Sequence, residues 1–421
     1  NIFPDLKKDI HEIISDTRRL NSCHYTLPEL FLSCVMMYLF RQGSRNQMNI
    51  KREYVEFRRN YHKLLNLKAP HMDTVDAILR VIDPASLNSL LIHLVKILMK
   101  RRVFHKFRLL AKYFTIAIDG TGVFTFTQEP YEGCPHKTSK NSKKTYHQPV
   151  VEAKLVCSNG FSISLCSEWV INEDGANKQD CESKATKRLL GRLHNYFPRL
   201  PICILMDGLF LNQPMQELIK GYGWQFIMVW KEKTCWSLQD QVAHYKTQGR
   251  VDTLEYTIFL SKTTRQEYKL ECLDQALDHK GIPVYYLRGE RAQISTIPEK
   301  EDILTTFVFM SSIPINKGNV KELFTTGRMR WKIENEGFNT QKNLGYALHH
   351  KMNRKNITAI KNYYTCLQIA HLLDQLYTLA KNLEARTYTT FKDLWLLFCE
   401  LLRNMTDYRP VKIKPKINLR Y

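Results

Sequence analysis

The sequence predicts an α/β fold in which helices flank a mixed sheet. Two short apolar runs, residues 114–118 and 202–206, are each followed by an Asp, and such runs are typical of buried strands. Strand-like and helix-like segments alternate between and after these runs. A third apolar run at 304–310 precedes a long segment with helical spacing. These three observations favour one sheet with helices packed on it.

Residues 1–112 are predicted to form a helical N-terminal region. Thr26-Leu27-Pro28-Glu29 has the spacing of a capping box, with Pro just inside the helix. Further helices are expected to begin at Asp73 and at Pro84. The stretch from Lys96 to Lys112 contains seven Lys or Arg and no acid. It is either a DNA-contacting stripe or a solvated helix face, and both interpretations stay open.

Residues 113–230 are predicted to form the first part of the core. The expected order is a strand, a hairpin, a helix, a strand, a short helix and a strand, at about 114–118, 148–170, 178–196, 202–206, 213–221 and 224–230. Asp119 and Asp207 both follow apolar strands, and ligands collect at the carboxyl ends of strands in open α/β sheets. We therefore expect their carboxylates to share one site, although they lie 88 positions apart.

The remaining chain divides into three predicted units. Residues 231–302 interrupt the alternation and are expected to be a mostly β insertion, with strands near 253–260, 266–272 and 283–287. Residues 303–350 return to the core with a strand and then a helix from 316 to about 343. Residues 351–421 are expected to form two helices, about 357–383 and 390–405, and a basic tail from Arg409.

The charge balance favours a polyanionic partner. The 421 residues include 62 Lys and Arg against 41 Asp and Glu, a formal net charge of +21. Cations that contact phosphates release condensed counterions, which drives binding to nucleic acid.

The 11 Cys are scattered and form no CxxC pair, which indicates a reducing compartment. We see no signal peptide or membrane span and expect a cytoplasmic protein. The first residue is Asn1 rather than Met, which leaves open whether residues precede it.

The helix expected near residue 330 offers a third acid. Arg330 and Glu334 are four residues apart and share a helix face. An ordinary ion pair is the alternative. Three carboxylates suit Mg²⁺, which prefers oxygen ligands. Two such ions can activate an attacking oxygen and stabilise a leaving one, with a shared Asp bridging them.

Four strings occur in order along the chain: Ile118-Asp119-Gly120-Thr121, Lys178-Gln179-Asp180-Cys181-Glu182, Met206-Asp207-Gly208-Leu209-Phe210 and Arg330-Trp331-Lys332-Ile333-Glu334. As an ordered set they resemble bacterial insertion-sequence transposases of the DDE class, with a β insertion before the catalytic Glu. Gly43-Ser44-Arg45 and Pro70-His71-Met72-Asp73-Thr74 also resemble this group. The resemblance covers about residues 20–350.

The resemblance implies an RNase H-like fold in which Asp119, Asp207 and Glu334 are catalytic and hold two Mg²⁺ ions, for which Mn²⁺ is expected to substitute. It implies an enzyme that nicks the terminal inverted repeats of a transposon and joins the 3′-hydroxyl to target DNA. Residues 1–112 would then bind DNA, and a homodimer would suit two DNA ends. Such a protein is expected in the bacterial cytoplasm, associated with the nucleoid. The alternative is a cleavage-only or catalytically silent DNA-binding descendant.

Related enzymes carry a Tyr, Arg, Glu, Lys signature around the third acid. Arg330 and Glu334 fit its spacing, whereas Gly327 stands in the place of the Tyr. The Lys appears as Lys342, one residue later than expected, so Glu336 remains an alternative to Glu334. Arg330 and Lys342 are expected to contact DNA phosphates near the cut.

Other candidate DNA contacts come from aromatic and basic residues. Trp236 lies in a polar stretch and is a candidate for stacking on an extruded base. Trp224 and Trp230 are expected to pack in the core instead. Lys143 and Lys144, with Lys137 and Lys140, form a basic loop that either contacts phosphate or is simply solvated. Asp180 and Glu182 favour a helix N-terminus, and we assign them no role in the chemistry.

Overall fold

The structure is a computed structural model that describes residues 2–19, 23–140, 142–172, 179–231, 235–295, 303–379 and 391–404. The predicted basic tail from Arg409, the last residues of the helix predicted to end at 383, and Lys178 lie outside the described residues. Within them the fold is α/β, as predicted, with one mixed sheet of 11 strands.

Sheet strands occupy the middle of the chain. Their bounds are β1 (Phe114–Phe126), β2 (His136–Thr138), β3 (Lys144–Val156), β4 (Ser162–Trp169), β5 (Ile202–Met206), β6 (Gln225–Val229), β7 (Val251–Phe259), β8 (Thr264–Leu273), β9 (Leu277–His279), β10 (Ile282–Ser295) and β11 (Ile303–Ser311). The sheet order is β2-β3-β1-β5-β6-β11-β10-β8-β7, with β4 paired to β3 and β9 to β10.

Helices precede, interrupt and follow the strands. Their bounds are α1 (Leu6–Ile13), α2 (Leu27–Leu39), α3 (Arg45–Glu53), α4 (Val55–Leu65), α5 (Met72–Leu79), α6 (Pro84–Lys100), α7 (Glu182–Tyr196), α8 (Gln213–Gly221), α9 (Trp236–Thr247), α10 (Val320–Arg328), α11 (Thr340–Asn343), α12 (Ile357–Leu379) and α13 (Phe391–Asn404). The capping box predicted at Thr26 is confirmed: its hydroxyl accepts from Glu29 N, and the Glu29 carboxylate accepts from Thr26 N at 2.8 Å.

Five strands, β4-β3-β1-β5-β6, form the part of the sheet expected from residues 113–230. The predicted hairpin is present: β3 and β4 pair antiparallel around a turn in which Gly160 has φ +100°. β1 pairs antiparallel with β3 and parallel with β5, and β5 pairs parallel with β6. The parallel neighbours are joined through α7 and α8, because parallel strands need a crossover.

The strands of residues 231–302 extend this sheet. β11 pairs antiparallel with β6, and β10, β8 and β7 follow outward from β11. The three predicted strands of this region are confirmed as β7, β8 and β10. The helix α9 was not predicted: only Leu238 and Val242 of this helix are buried, so the sequence shows too weak a helical period.

The sheet has two covered faces, because side chains alternate along each strand. Ile116 and Ile118 of β1 belong to a large core that includes residues of α6 and α7. Ala117 of β1 and Leu205 of β5 point the other way, into a smaller core that includes Ile333. The second face is therefore the one on which the segment around Glu334 packs.

No single helix of the described residues is both long and apolar enough to cross a membrane. α5 and α6 pass that test only when taken together, and they meet at a bend of 102°.

The absence of a side chain at Gly289 of β10 lets α10 approach the sheet. A Cβ there would lie 2.1 Å from Phe324 Cε2 and 2.8 Å from Leu270 Cδ2. Gly289→Ala is therefore expected to lower the free energy of unfolding by about 1–3 kcal/mol through overpacking, measured by urea denaturation. Gly122→Ala in β1 is the matched control, since its Cβ would meet nothing within 4 Å. Equal losses in both variants would contradict the packing argument.

Candidate active site

β1 and β5 are in parallel register up to the residues that precede Asp119 and Asp207. Asp207 follows the end of β5, but Asp119 lies within β1, which continues to Phe126 rather than ending at 118 as predicted. The paired residues run from Phe114–Ile202 to Ala117–Leu205, an offset of 88 positions (202 minus 114). Continuing that register by two residues makes Asp119 level with Asp207. Adjacent strands lie about 4.8 Å apart. By alternation along β1, the Asp119 side chain projects to the same face as Ala117, and Asp207 directly follows the last residue of β5.

The helix that carries Glu334 is irregular. After α10 the chain forms a 3₁₀ turn at Met329–Trp331, a π-helical segment at Ile333–Asn339, and then α11. Met329, Ile333 and Phe338 anchor this segment in the smaller core. π-helical turns are rare and are found frequently at functional sites. The packing holds the segment on the face of the sheet to which Asp119 projects.

Arg330 links two of the three candidate acids. Its guanidinium lies 3.5 Å from Asp119 Oδ2 and donates to Glu334 Oε1 at 2.8 Å. The Arg330 side chain is only 7% exposed, against 21% for Asp119 and 43% for Glu334. Burial, and then the nearby Glu334 carboxyl, raise the pKa of Asp119 to about 7, while the charge of Arg330 opposes them. Asp119 and Glu334 thus face one cation from two elements.

Glu336 has a different partner. Its carboxylate accepts from Lys332 Nζ at 3.0 Å, and Lys332 lies four residues before it. Of the two acids that the sequence left open, Glu334 is the one that shares Arg330 with Asp119. The helix therefore carries two i,i+4 ion pairs, Arg330–Glu334 and Lys332–Glu336. Only the first of them also contacts Asp119.

The π-helical segment gives a physical reason for the late position of Lys342. In an α-helix, residue i+7 returns to the face of residue i. A π turn bonds i to i+5 and so takes up one extra residue. Gln341, which stands at i+7 from Glu334, is instead fully buried, with its amide 2.7 Å from Gln368 Oε1. Lys342 lies near the end of α11, half-buried.

Asp207 sits at the solvent edge of the site. Its side chain is 35% exposed and its carboxylate lies 3.9 Å from Lys231 Nζ. Gly208 follows it, and a Cβ there would be 2.9 Å from the Val229 carbonyl oxygen. The close approach of β6 therefore requires Gly directly after this Asp.

The donors suit a hard divalent cation, since they are carboxylate oxygens. Among the described residues, no group of three or more His, Cys, Asp or Glu side chains is gathered closely enough to hold a metal ion. The Arg330 guanidinium occupies the position between Asp119 and Glu334 where a cation is favoured. The structure therefore brings Asp119 and Glu334 to one cation, Arg330, whereas the side-chain partner of Asp207 is Lys231.

Glu152 and Lys154 were missed by the sequence reasoning. Both are fully buried in β3, with Lys154 Nζ 4.0 Å from Glu152 Oε1. Glu152 pairs with Asp119 across the strands. Lys154 donates to Gln368 Oε1 at 2.7 Å, and a Cβ at Gly337 would lie 3.2 Å from its Cε. The signal in the sequence was two charges within the otherwise apolar run 150–156.

Burial sets the ionisation of this pair. Burial raises the pKa of Glu152, and the neighbouring Lys154 opposes that shift. Burial likewise lowers the pKa of Lys154 to about 8. Tyr364 and Ser164 donate their hydroxyls to Glu152, so its carboxylate is satisfied despite its position. Lys154 of this pair packs against Gly337 of the π-helical segment that carries Glu334.

Asp180 and Glu182 of the Lys178–Glu182 string contact different parts of the chain. Asp180 accepts from Arg188 at 2.7 Å and from the Ile171 amide at 3.3 Å, and these bonds tie the start of α7 to the end of β4. Glu182 is the first residue of α7 and lies against the backbone of Gly120, where its carboxylate fills the space of a Cβ. The sequence indicated only helix N-terminal acids, and the contact with Gly120 is tertiary.

The remaining candidates are aromatic and basic residues on other elements. Trp236 begins α9 and is 69% exposed, whereas Trp224 and Trp230 are buried, which confirms their predicted core packing. Lys143 and Lys144 are exposed at the β2–β3 turn. Lys144 is eight residues from Glu152 along β3, or about 26 Å at about 3.3 Å per residue. Any DNA contact of these lysines is therefore remote from Asp119.

No known family model matches the chain, and a search of curated proteins finds no significant match.

Proposed function

We propose that the chain is a DNA transposase of the DDE class, built on an RNase H-like core formed by β4-β3-β1-β5-β6 and the Glu334 helix. The proposal rests on the ordered motifs and on one geometric observation. The parallel pairing of β1 with β5 ends at Ala117–Leu205, two residues before Asp119 and Asp207, and the Glu334 segment packs on the face that Ala117 and Leu205 share. The net charge of +21 suits a duplex DNA substrate.

In this proposal Asp119, Asp207 and Glu334 hold divalent metal. Two bound Mg²⁺ ions, or Mn²⁺, would activate the attacking oxygen and stabilise the leaving one. Arg330 then has a second role, because its buried guanidinium, once displaced from the carboxylates, can donate to a phosphate oxygen. Lys231 adds positive charge 3.9 Å from Asp207, and Lys342 would contact a phosphate near the cut. Trp236 is available to stack on a base because it is exposed.

The substrate is duplex DNA: the ends of the element first, then the target. Water attacks the phosphodiester at an end and leaves a 3′-hydroxyl, which in turn attacks a phosphodiester of the target. Two ends must be held together for joining, which a homodimer would achieve. The protein would act in the bacterial cytoplasm, on chromosomal DNA.

A catalytically silent or cleavage-only DNA-binding protein is the second candidate. It is favoured by the ion pairs of Arg330, which already neutralise Asp119 and Glu334 without metal. The active enzyme is favoured by the raised pKa of Asp119, since strongly perturbed acids cluster at functional sites.

The test is to incubate the purified chain with linear duplex DNA that carries the genomic segments flanking its coding sequence. We expect nicks with free 3′-hydroxyls at fixed positions with Mg²⁺ or Mn²⁺, and none with EDTA. Joining of the nicked strand to a supercoiled plasmid distinguishes a transposase from a cleavage-only enzyme. Asp119→Asn, assayed in parallel, excludes a contaminating nuclease. DNA binding with no metal-dependent nicking would favour the silent protein.

A further inference from the structure

A cleft of about 770 Å³ lies outside the acid cluster. Its walls come from three stretches: the start of α3, the start of α5, and the loop 350–356 that precedes α12. Two of these stretches contain the strings Gly43-Ser44-Arg45 and Pro70-His71-Met72-Asp73-Thr74, to which the proposed chemistry gives no role. The cleft is therefore a second candidate site, distant in sequence from Asp119.

The cleft carries an excess of cations. Five Arg or Lys side chains line it, against the two acids Glu53 and Asp73. Arg45 and Arg80 both pair with the buried Asp76, at 3.1 and 2.6 Å. The other three cations, Lys351, Arg354 and Lys355, form no ion pair with a carboxylate in the described part of the chain. Arg354 and Lys355 are exposed, so their charges are available to an anion.

Three helices begin in the same walls. Ser44 Oγ accepts from Gln47 N at 3.2 Å at the start of α3, and His71 Nδ1 accepts from Asp73 N at 3.3 Å at the start of α5. Asn356 Oδ1 accepts from Ala359 N at 2.8 Å at the start of α12. Each helix N-terminus carries about half a positive charge. The three dipoles therefore reinforce the side-chain cations.

The cleft also contains a histidine. His350 lines the cleft, and burial followed by the charges of Arg354 and Arg45 lowers its pKa. A neutral imidazole at neutral pH leaves a donor and an acceptor for a polar ligand. The cleft thus combines cations, amides and a neutral His, the groups that contact nucleic-acid backbone.

The loop is tied to the strand that bears Asp119. Lys351 Nζ donates to the Thr125 carbonyl at 2.6 Å, and His349 Nδ1 lies 3.0 Å from the Val123 carbonyl. Val123 and Thr125 are four and six residues beyond Asp119 on β1, or about 13–20 Å along the strand. Phosphates of one DNA strand repeat about every 3.4 Å. A duplex that ran along β1 from Asp119 would therefore place phosphates about four to six nucleotides from the cut beside this loop.

We propose that this cleft binds the sugar-phosphate backbone of duplex DNA a few nucleotides from the scissile phosphodiester, with Arg354 and Lys355 as the principal phosphate contacts. The inference rests on the proposed function for its position relative to the cut, but the binding itself does not need catalysis. Because both residues are exposed, their removal leaves the fold intact.

The experiment compares the full chain with the variant Arg354→Ala/Lys355→Ala. Affinity for a fluorescent duplex DNA is measured between about 50 and 200 mM salt, in EDTA so that no cleavage occurs. The plot of log K against log salt loses about 0.9 in slope for each phosphate contact removed. We expect the slope of the double variant to be smaller by about 1.8.

The control variant Lys220→Ala/Lys280→Ala removes the same charge from two exposed lysines outside the cleft. It should change the slope by less than half as much. Equal slopes for the cleft variant and the full chain, or equal changes in cleft and control variants, would overturn the proposal. The same titration is made with duplex RNA, and a loss of slope seen only with RNA would also overturn the proposal. A chain that never nicks DNA but shows the expected slope change would refute the proposed chemistry and leave the cleft assignment standing.

Discussion

Glu334→Gln is expected to lower the rate of Mg²⁺-dependent nicking by on the order of 10³-fold. A metal ion contributes several kcal/mol of transition-state stabilisation, and about 1.4 kcal/mol corresponds to a tenfold change in rate. Gln keeps the volume of Glu and can still accept from Arg330, so the folded state should persist. The rate is measured by single-turnover nicking of end-bearing DNA, with the unfolding midpoint recorded for each variant.

Glu336→Gln is the matched control, because it makes the same change two residues away on the same helix. It removes only the pair with Lys332, so its nicking rate should stay within about tenfold of the unmodified chain. The opposite order of effects would mean that Glu336 is the third acid. Equal and small effects in both variants would reject the metal site altogether.

Lys154→Met is expected to lower the free energy of unfolding by about 3–5 kcal/mol at neutral pH, because it leaves the buried Glu152 without its counter-charge. The measurement is urea denaturation followed by circular dichroism. Lys144→Met, on an exposed residue of the same strand, should change the stability by less than about 0.5 kcal/mol. Equal losses in the two variants would mean that the buried ion pair of Lys154 with Glu152 does not stabilise the fold.

The pH dependence of this loss has a definite sign. Burial already raises the pKa of Glu152 above its usual 4.5, and removal of Lys154 raises it further. An acid whose folded pKa lies above its unfolded value contributes stability below the unfolded pKa and loses it as pH rises through the folded pKa. The Lys154→Met deficit should therefore shrink as the pH falls toward 4.5. Glu152→Gln/Lys154→Met should recover most of the stability at pH 7, since no buried charge remains.

Local signals in the sequence predicted most of the elements. The apolar runs before Asp119 and Asp207, the turn at Gly160, and the capping box at Thr26 all appear where expected. These signals succeed because each depends on neighbours within a few residues. α9 was missed because tertiary burial of Leu238 and Val242, not a strong local period, selects a helix there.

The ordered motifs also predicted which acids are candidates, but they did not predict how these acids are arranged in space. The sequence predicted two Asp residues after apolar runs and a helix-borne acid, and it determined that the chain is strongly basic. The predicted strand end at Asp119 was wrong, because pairing with β3 continues β1 to Phe126. The tertiary structure decided which acid faces Asp119, that Arg330 stands between them, and that Glu152 and Lys154 are buried beneath the Glu334 helix. Those relations depend on strand register and on one extra residue in a π turn. Both are set by packing between segments far apart in the chain, which no local pattern encodes.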